Sequence, residues 1–199
     1  MSNFVRSSLA AILFSLTAAT AASAEEGPGV IKDGAVMGAR VGMTLESIRK
    51  ASPDANWIYE HDFMVDFSAL CAVQGGEEDG ETLFCAIVPE NHKEDAAAKV
   101  AAIAVFSDQL ATPEGAYAGM TVADAVKIFG EAKLSYNLEN EAREYLVFEK
   151  APKWLSFQAT SDSDPEGYAG VYAKKTDEAV SQETTKFAED AVIDLLWIN

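Results

Sequence analysis

GARVGMT at residues 38–44 returns as GAYAGMT at residues 115–121. In each copy the final threonine is followed by apolar residues spaced to form one face of a helix. Threonine is a favourable helix N-cap, so each copy predicts a short helix that begins just after Thr44 or Thr121. A stretch used twice in this way is typical of an internally duplicated chain. We therefore expect two tandem units, over residues 25–110 and 111–199.

Strand-like runs follow each predicted helix. After the first helix, β-branched and aromatic residues cluster near residues 57–67, 67–73, 82–88 and 99–106. After the second they cluster near residues 145–149, 154–159, 170–173 and 192–198. A short helix followed by antiparallel strands, repeated, predicts an α+β fold in which each helix packs on its own strands.

The N-terminus carries the pattern of a secretory signal peptide. Arg6 precedes the apolar run Leu9 to Leu16, and a small-residue stretch ends with an A-x-A cleavage pattern at residues 22–24. A retained membrane anchor is the alternative, but the run is short for a hydrocarbon layer of about 30 Å. We expect residues 1–24 to be removed, leaving a periplasmic or secreted protein with no membrane span.

The charge of the chain restricts its partners. It contains 15 Lys and Arg residues against 32 Asp and Glu residues, a formal net charge of −17. Such a surface repels phosphate backbones and anionic headgroups, which argues against nucleic acid as a partner. A cationic protein or a divalent cation is electrostatically permitted.

Two cysteines lie at matching positions in a predicted hairpin. Cys71 and Cys85 are equally distant from Glu78, so a hairpin centred there places them directly opposite each other. Opposed residues at a non-hydrogen-bonded pair are close enough for a disulfide. A redox pair is the alternative, but it would normally show C-x-x-C spacing. We predict a Cys71–Cys85 disulfide.

Catalytic and metal-binding patterns are weak. The two histidines, His61 and His92, lie outside any hydrolase or metalloprotease motif, so we expect no enzyme activity and no cofactor. Asp162, Asp164 and Glu166 match the opening of a calcium loop, although Ala173 stands where a bidentate glutamate is needed. Weak Ca²⁺ binding at this loop is the alternative to a solvated acidic loop.

The order of these features resembles a broad group of uncharacterised exported bacterial proteins. It comprises a Gly-Met-Thr helix start, a Cys-bearing hairpin, the strand Val100 to Phe106, ATPEG at residues 111–115 and a second Gly-Met-Thr helix. More distantly, the repeated unit is similar to those of the beta-lactamase inhibitory protein and of small outer-membrane assembly lipoproteins. Those relatives bind proteins, so the resemblance implies a non-catalytic binding role. The chain lacks the N-terminal cysteine of the lipoproteins.

We therefore expect an exported envelope protein that acts by binding another envelope protein. Trp154 alternates with the apolar residues of its strand and is predicted to be an exposed aromatic anchor. The acidic hairpin tip, Glu77, Glu78 and Asp79, completes the candidate interface. The alternatives are a calcium- or small-ligand-binding periplasmic module and a hydrolase with its site at the seam between the repeats.

Overall fold

The computed structural model describes residues 29–75, 80–92, 95–139, 142–173 and 180–199, excluding the side chains of residues 61, 62 and 92. These residues form thirteen β-strands, two α-helices and one 3-10 turn. The first eight strands are β1 Gly29–Lys32, β2 Ala35–Val36, β3 Ala39–Arg40, β4 Asn56–Met64, β5 Phe67–Gln74, β6 Glu81–Pro89, β7 Ala102–Val105 and β8 Leu110–Ala111. The others are β9 Ala132–Asn137, β10 Glu144–Phe148, β11 Leu155–Thr160, β12 Ser181–Thr184 and β13 Val192–Ile198. The helices are α1 Leu45–Ala51 and α2 Val122–Phe129, and the 3-10 turn is Glu90–His92.

Both helices begin where the repeated stretch predicts. The hydroxyl of Thr44 accepts a hydrogen bond from the backbone N–H of Ser47 at 3.2 Å. The hydroxyl of Thr121 accepts one from the N–H of Asp124 at 3.1 Å. These bonds satisfy N–H groups that have no partner within the first turn of a helix. The predicted N-caps are therefore confirmed.

The strands form two sheets. Nine of them make one antiparallel sheet in the order β12-β9-β10-β11-β13-β7-β6-β5-β4. The other four form a small sheet in the order β3-β2-β1-β8, in which β1 and β8 run parallel. In the large sheet β13 lies between β11 and β7, so strands from before and after residue 110 join edge to edge. The predicted boundary between units at this residue stays a prediction.

The predicted α+β class, with two tandem helix-on-strands units, is wrong. Of the residues that the structure describes, 46% lie in strands and 11% in helices, which comprise two α-helices and one 3-10 turn beside two sheets. A helix of seven or eight residues is about 12 Å long, whereas nine strands span about 40 Å. Residues of the small sheet, including Ile31, Val36 and Leu110, join the same core as both helices. The strands of the small sheet therefore cover part of the apolar core that the sequence pattern assigns to the helices.

The nine-stranded sheet buries apolar side chains on both of its faces. Along β13, Leu196 and Ile198 belong to the main core, which also contains both helices. The alternate residues Leu195 and Trp197 lie on the opposite face. There they join a second cluster, which consists of Ala69, Cys71, Cys85, Ile87, Ala104, Leu195 and Trp197.

The predicted disulfide is confirmed. Cys71 on β5 is directly opposite Cys85 on β6, with their Cα atoms 4.0 Å apart. The carbonyl of Ile87 accepts a hydrogen bond from the N–H of Ala101 at 2.8 Å, on the β7 side of β6. Because Cys85 lies two residues from Ile87, its backbone polar groups also face β7. The two cysteines therefore form a non-hydrogen-bonded pair, in which opposed Cα atoms come closest.

In the parts of the chain that the structure describes, no helix is long and apolar enough to cross a membrane. The predicted signal peptide, residues 1–24, lies outside the described ranges. The disulfide is compatible with export to an oxidising compartment. Export itself stays a prediction.

Candidate functional site

The Cys71–Cys85 disulfide of the second cluster forms the floor of a groove on the face of the large sheet opposite the main core. We call it the disulfide groove, and it has a volume of about 400 Å³. It is lined by Glu60, Phe63, Cys71, Glu81, Thr82, Cys85 and Phe106. Strands β4, β5 and β6 position these residues, together with the segment that follows β7. The buried disulfide ties together the two central strands of the floor.

Two half-buried aromatic side chains form the walls of the disulfide groove. Phe63 from β4 and Phe106, directly after β7, meet edge to face with ring centroids 6.2 Å apart. Both rings pack against the second cluster. Edge-to-face contact favours a defined relative orientation of the rings. The groove therefore offers apolar walls held in place by packing.

Carboxylates surround this apolar surface. Glu60 and Glu81 line the disulfide groove. An adjoining cleft of about 410 Å³ shares Glu81 and Phe106 with it and adds Asp108 and Asp194. None of the described residues that line either cleft is Lys, Arg or His. The combined surface is apolar at its centre and negatively charged around it.

Glu81 is held in a defined position. One of its carboxylate oxygens accepts a hydrogen bond from the hydroxyl of Ser107 at 2.7 Å. The other accepts one from the side-chain amide of Gln109 at 3.0 Å. The carboxylate is thereby fixed where the disulfide groove meets the adjoining cleft, at little further cost in side-chain entropy on binding.

Trp154 does not occupy the exposed strand position that its alternation predicts. Strand β11 begins one residue later, at Leu155. Trp154 is half-buried, packs against the main core and lies beside Gly34 in the β1–β2 turn. The other predicted interface residues, at 77–79, lie outside the described residues, although in the sequence they come just before Glu81. Trp154 is therefore half-buried against the main core and is not among the residues that line the disulfide groove, and its role at an interface stays a prediction.

The predicted calcium loop is organised by its own hydrogen bonds. Asp162, Asp164 and Glu166 lie between β11 and β12. Asp164 accepts a hydrogen bond from the N–H of Glu166 at 2.9 Å, and Asp190 accepts one from the N–H of Ser163 at 2.9 Å. Within the described ranges, no group of three or more His, Cys, Asp or Glu side chains is placed to hold a metal ion. Calcium binding here stays a prediction.

A buried carboxylate that sequence reasoning missed lies at the start of β10. Glu144 is only 3% exposed. One of its carboxylate oxygens accepts hydrogen bonds from the N–H of Gly170 at 2.9 Å and the hydroxyl of Tyr172 at 2.5 Å. The other accepts one from the N–H of Ala169 at 2.7 Å. The carboxylate therefore ties the segment of residues 169–172 to the sheet.

Tyrosine rings surround this carboxylate. Tyr136, opposite Glu144 on β9, stacks on Tyr168 with ring centroids 4.8 Å apart. Tyr172 meets Tyr136 edge to face, also at 4.8 Å. The sequence GYAGVY at residues 167–172 is the signal that could have indicated a packed loop, because glycines allow close approach of the backbone between aromatic residues. Gly170 meets this need, since a Cβ atom there would lie 2.7 Å from a carboxylate oxygen of Glu144.

The environment of Glu144 changes its acidity. Burial raises the pKa of this carboxyl group above its ordinary value, and the hydrogen bonds from Tyr172, Ala169 and Gly170 oppose that rise. The negative charge of Asp164 raises the pKa further. Burial and the hydrogen bond to Glu144 also raise the pKa of the Tyr172 hydroxyl. Because all three donors come from the chain itself, the cluster acts as an anchor for the loop.

Replacing Glu144 with glutamine should change how stability depends on pH. A raised pKa means that the folded protein binds this proton more tightly than the unfolded chain does, so protonation stabilises the fold. This stabilisation is complete below pH 4.5, the ordinary pKa of the group, and it is lost as the pH rises through the higher pKa that Glu144 has in the folded protein. Between about pH 4 and about pH 8, the melting temperature of Glu144→Gln relative to that of the wild type should increase as the pH rises. Parallel curves for Glu144→Gln and the wild type would contradict this.

No protein-family model, curated protein or solved structure matches the chain. The resemblance to exported bacterial proteins therefore depends only on the sequence motifs given above. Among the described clefts, the disulfide groove combines two packed aromatic rings with bordering carboxylates.

Proposed function

We propose that the protein acts without catalysis, as an exported protein that binds a positively charged segment of another envelope protein in the disulfide groove. The observation that carries this proposal is the composition of the groove. Apolar walls and floor lie inside a set of carboxylates, and the described lining contains no cation to neutralise them. The Cys71–Cys85 disulfide is compatible with the export part of the proposal.

The apolar part of the groove supplies the favourable free energy of binding. A partner side chain that packs against the contacting rings of Phe63 and Phe106 would remove apolar area from water on both the partner and the groove. Aromatic walls over a rigid floor are typical of the pockets that hold hot-spot side chains at interfaces. The walls are already packed against the second cluster, so little ordering is needed when the partner binds.

The charges select the partner. Glu60, Glu81, Asp108 and Asp194 border the two clefts, on a chain of net charge −17. An acidic partner would be repelled both at long range and at the groove. A cationic partner would be attracted, and its association would be faster at low salt. We therefore propose that the partner segment carries both cationic and apolar side chains. It would bind in the disulfide groove instead of at the interface predicted around Trp154.

Reversing two carboxylates should weaken binding of a defined probe. The probe is a fluorescein-labelled peptide of nine residues in which every second residue is lysine, valine or phenylalanine, with serine or threonine between them, so that one face of the extended peptide carries both cationic and apolar side chains. We expect Glu60→Lys combined with Asp108→Lys to raise Kd about tenfold, because an attraction becomes a repulsion at both positions. Fluorescence anisotropy measures Kd, and added salt should reduce the difference between the variant and the wild type.

The controls separate local charge from net charge. Glu114→Lys combined with Asp162→Lys changes the net charge equally at exposed positions outside the groove, and it should raise Kd far less. A peptide with glutamate in place of each lysine should not bind. Equal effects of the two double variants, or equal binding of the two peptides, would overturn the proposed function. Failure of the lysine peptide to bind at all would do the same.

A further inference from the structure

The strand that forms one side of the disulfide groove is also an edge of the large sheet. Strand β4, Asn56–Met64, has nine residues and ends the order of strands, with β5 as its neighbour. The opposite edge, β12, has only four residues, Ser181–Thr184. In the part of the chain that the structure describes, no strand pairs with the outer side of β4. A long edge strand is a template on which a further strand can add.

The first part of this edge is regular. Five consecutive residues, Asn56–Glu60, pair in order with Val73–Ala69 of β5. The register shifts only after Glu60, before Met64 pairs with Phe67. Natural edge strands are commonly protected by such shifts and by charges. Here the register shift comes only after Glu60, so it does not protect Asn56–Glu60. Five regularly paired residues are about the length of a short strand.

The disulfide identifies which backbone groups face outward. Cys71 and Cys85 form a non-hydrogen-bonded pair, so the N–H and C=O of Cys71 face β4. Ile58, the partner of Cys71 on β4, therefore forms a hydrogen-bonded pair with it. Backbone direction alternates along a strand, so the N–H and C=O of Trp57 face away from β5. A donor and an acceptor thus face the outer side of β4 at this residue.

The edge and the groove are continuous through β4. Glu60 and Phe63 belong to the edge strand and line the disulfide groove. A strand placed beside β4 would direct every second side chain to the groove face. Lysine or arginine side chains there would meet Glu60. On the other face Arg49 lies over the ring of Tyr59, 5.3 Å from its centroid, and supplies a cation of its own.

Charge also distinguishes between possible occupants of this edge. Two copies of the chain paired through β4 would place two negatively charged grooves together, each on a chain of net charge −17. Like charges brought together at an interface cost free energy. An extended cationic segment of a different protein meets the opposite sign of charge at the same position. The edge therefore favours a cationic partner over a second copy.

We propose that the partner binds by strand addition: an extended cationic segment pairs with β4 along Asn56–Glu60 and directs alternate side chains into the disulfide groove. This inference rests on the proposed function and specifies how the partner is held. Main-chain hydrogen bonds supply affinity in such complexes, and the groove that receives alternate side chains supplies specificity.

Amide hydrogen exchange at two adjacent residues tests the proposal. The N–H of Trp57 faces the added strand, whereas the N–H of Ile58 already bonds to β5 and is the internal control. Saturation with the lysine-containing peptide should slow exchange of the Trp57 amide at least about tenfold more than that of the Ile58 amide. NMR on the disulfide-bonded protein resolves the two amides. Methylation of the peptide nitrogens whose N–H groups face β4 should abolish binding. Methylation of the alternate nitrogens, which face away from β4, should leave binding intact.

The outcomes separate the two proposals. A peptide that binds, leaves the Trp57 amide unchanged and tolerates methylation of either set of nitrogens overturns strand addition but leaves groove binding intact. A peptide that does not bind in any form overturns both. Protection of the Trp57 amide before any peptide is added, with a dimer mass by light scattering, also overturns strand addition by a partner. In that case a second copy holds the edge.

Discussion

Replacing Phe157 with alanine should lower the free energy of unfolding by about 3–5 kcal/mol. Phe157 is fully buried on β11. Its ring lies 5.8 Å from that of Phe129 on α2 and 5.1 Å from that of Phe148 on β10, measured between centroids. The substitution removes the ring that both neighbours contact, and it leaves a cavity between a helix and the sheet. For a chain of this size the melting temperature should fall by roughly 6–20 °C.

A graded series of variants isolates the cavity effect. Phe157→Leu keeps most of the buried volume and should cost well under half as much as alanine. Val147→Ala, at a side chain that is 48% exposed on neighbouring β10, should change stability by less than about 0.5 kcal/mol. Urea unfolding followed by tryptophan fluorescence measures all three. Equal costs for alanine and leucine at position 157 would show that the cavity is not the cause of the lost stability.

Local features of the sequence predicted local structure correctly. Thr44 and Thr121 act as N-caps because the side-chain oxygen of each threonine accepts a hydrogen bond from a backbone N–H only three residues later in the chain. Cys71 pairs with Cys85 as predicted, although a register shift between Ala72 and Val73 means that the pairs beside the turn are not centred on Glu78. In both cases the interacting groups are close in the sequence, so their spacing limits the geometry.

The fold class was missed because the pairing of distant strands leaves little trace in the sequence. Strand β12, Ser181–Thr184, contains no apolar residue whose alternation could mark it, and it forms because β9 offers an edge. Short strands such as β2, Ala35–Val36, cannot be distinguished from turns by periodicity. An interpretation as two helix-plus-strands units therefore overestimates how much of the fold the helices form.

The candidate site was missed for a related reason. Trp154 seemed exposed because the alternation was extended one residue beyond the start of β11. Phe63 and Phe106 are 43 residues apart in the sequence, and only the order of β4 to β7 in the sheet brings their rings together. Glu144 is buried by a loop about 25 residues later in the chain. The sequence predicts the acidic character of the surface but not the groove that the carboxylates surround.

Removing the disulfide should be the other strongly destabilising change. With Cys71→Ala and Cys85→Ala together, we expect a loss of about 3 kcal/mol, the chain-entropy value for a closed loop of about 15 residues. The bridged residues are 14 positions apart and both are buried. Calorimetry should show a melting temperature lower by about 6–12 °C. Wild type reduced with dithiothreitol is the matched control, because it keeps both sulfur atoms in the floor of the groove.

The same variant separates stability from recognition. The chain-entropy effect of a disulfide acts mainly on the unfolded chain, and pairing of β5 with β4 and β6 still holds the folded floor in place. Well below its melting temperature, the double-alanine variant should therefore bind the lysine peptide with a Kd within about threefold of the wild-type value. A much larger loss in the folded variant, but not in reduced wild type, would show that the volume of the buried sulfur atoms maintains the shape of the groove floor. A loss in both would show that the covalent bond itself keeps β5 and β6 in the geometry that the partner requires.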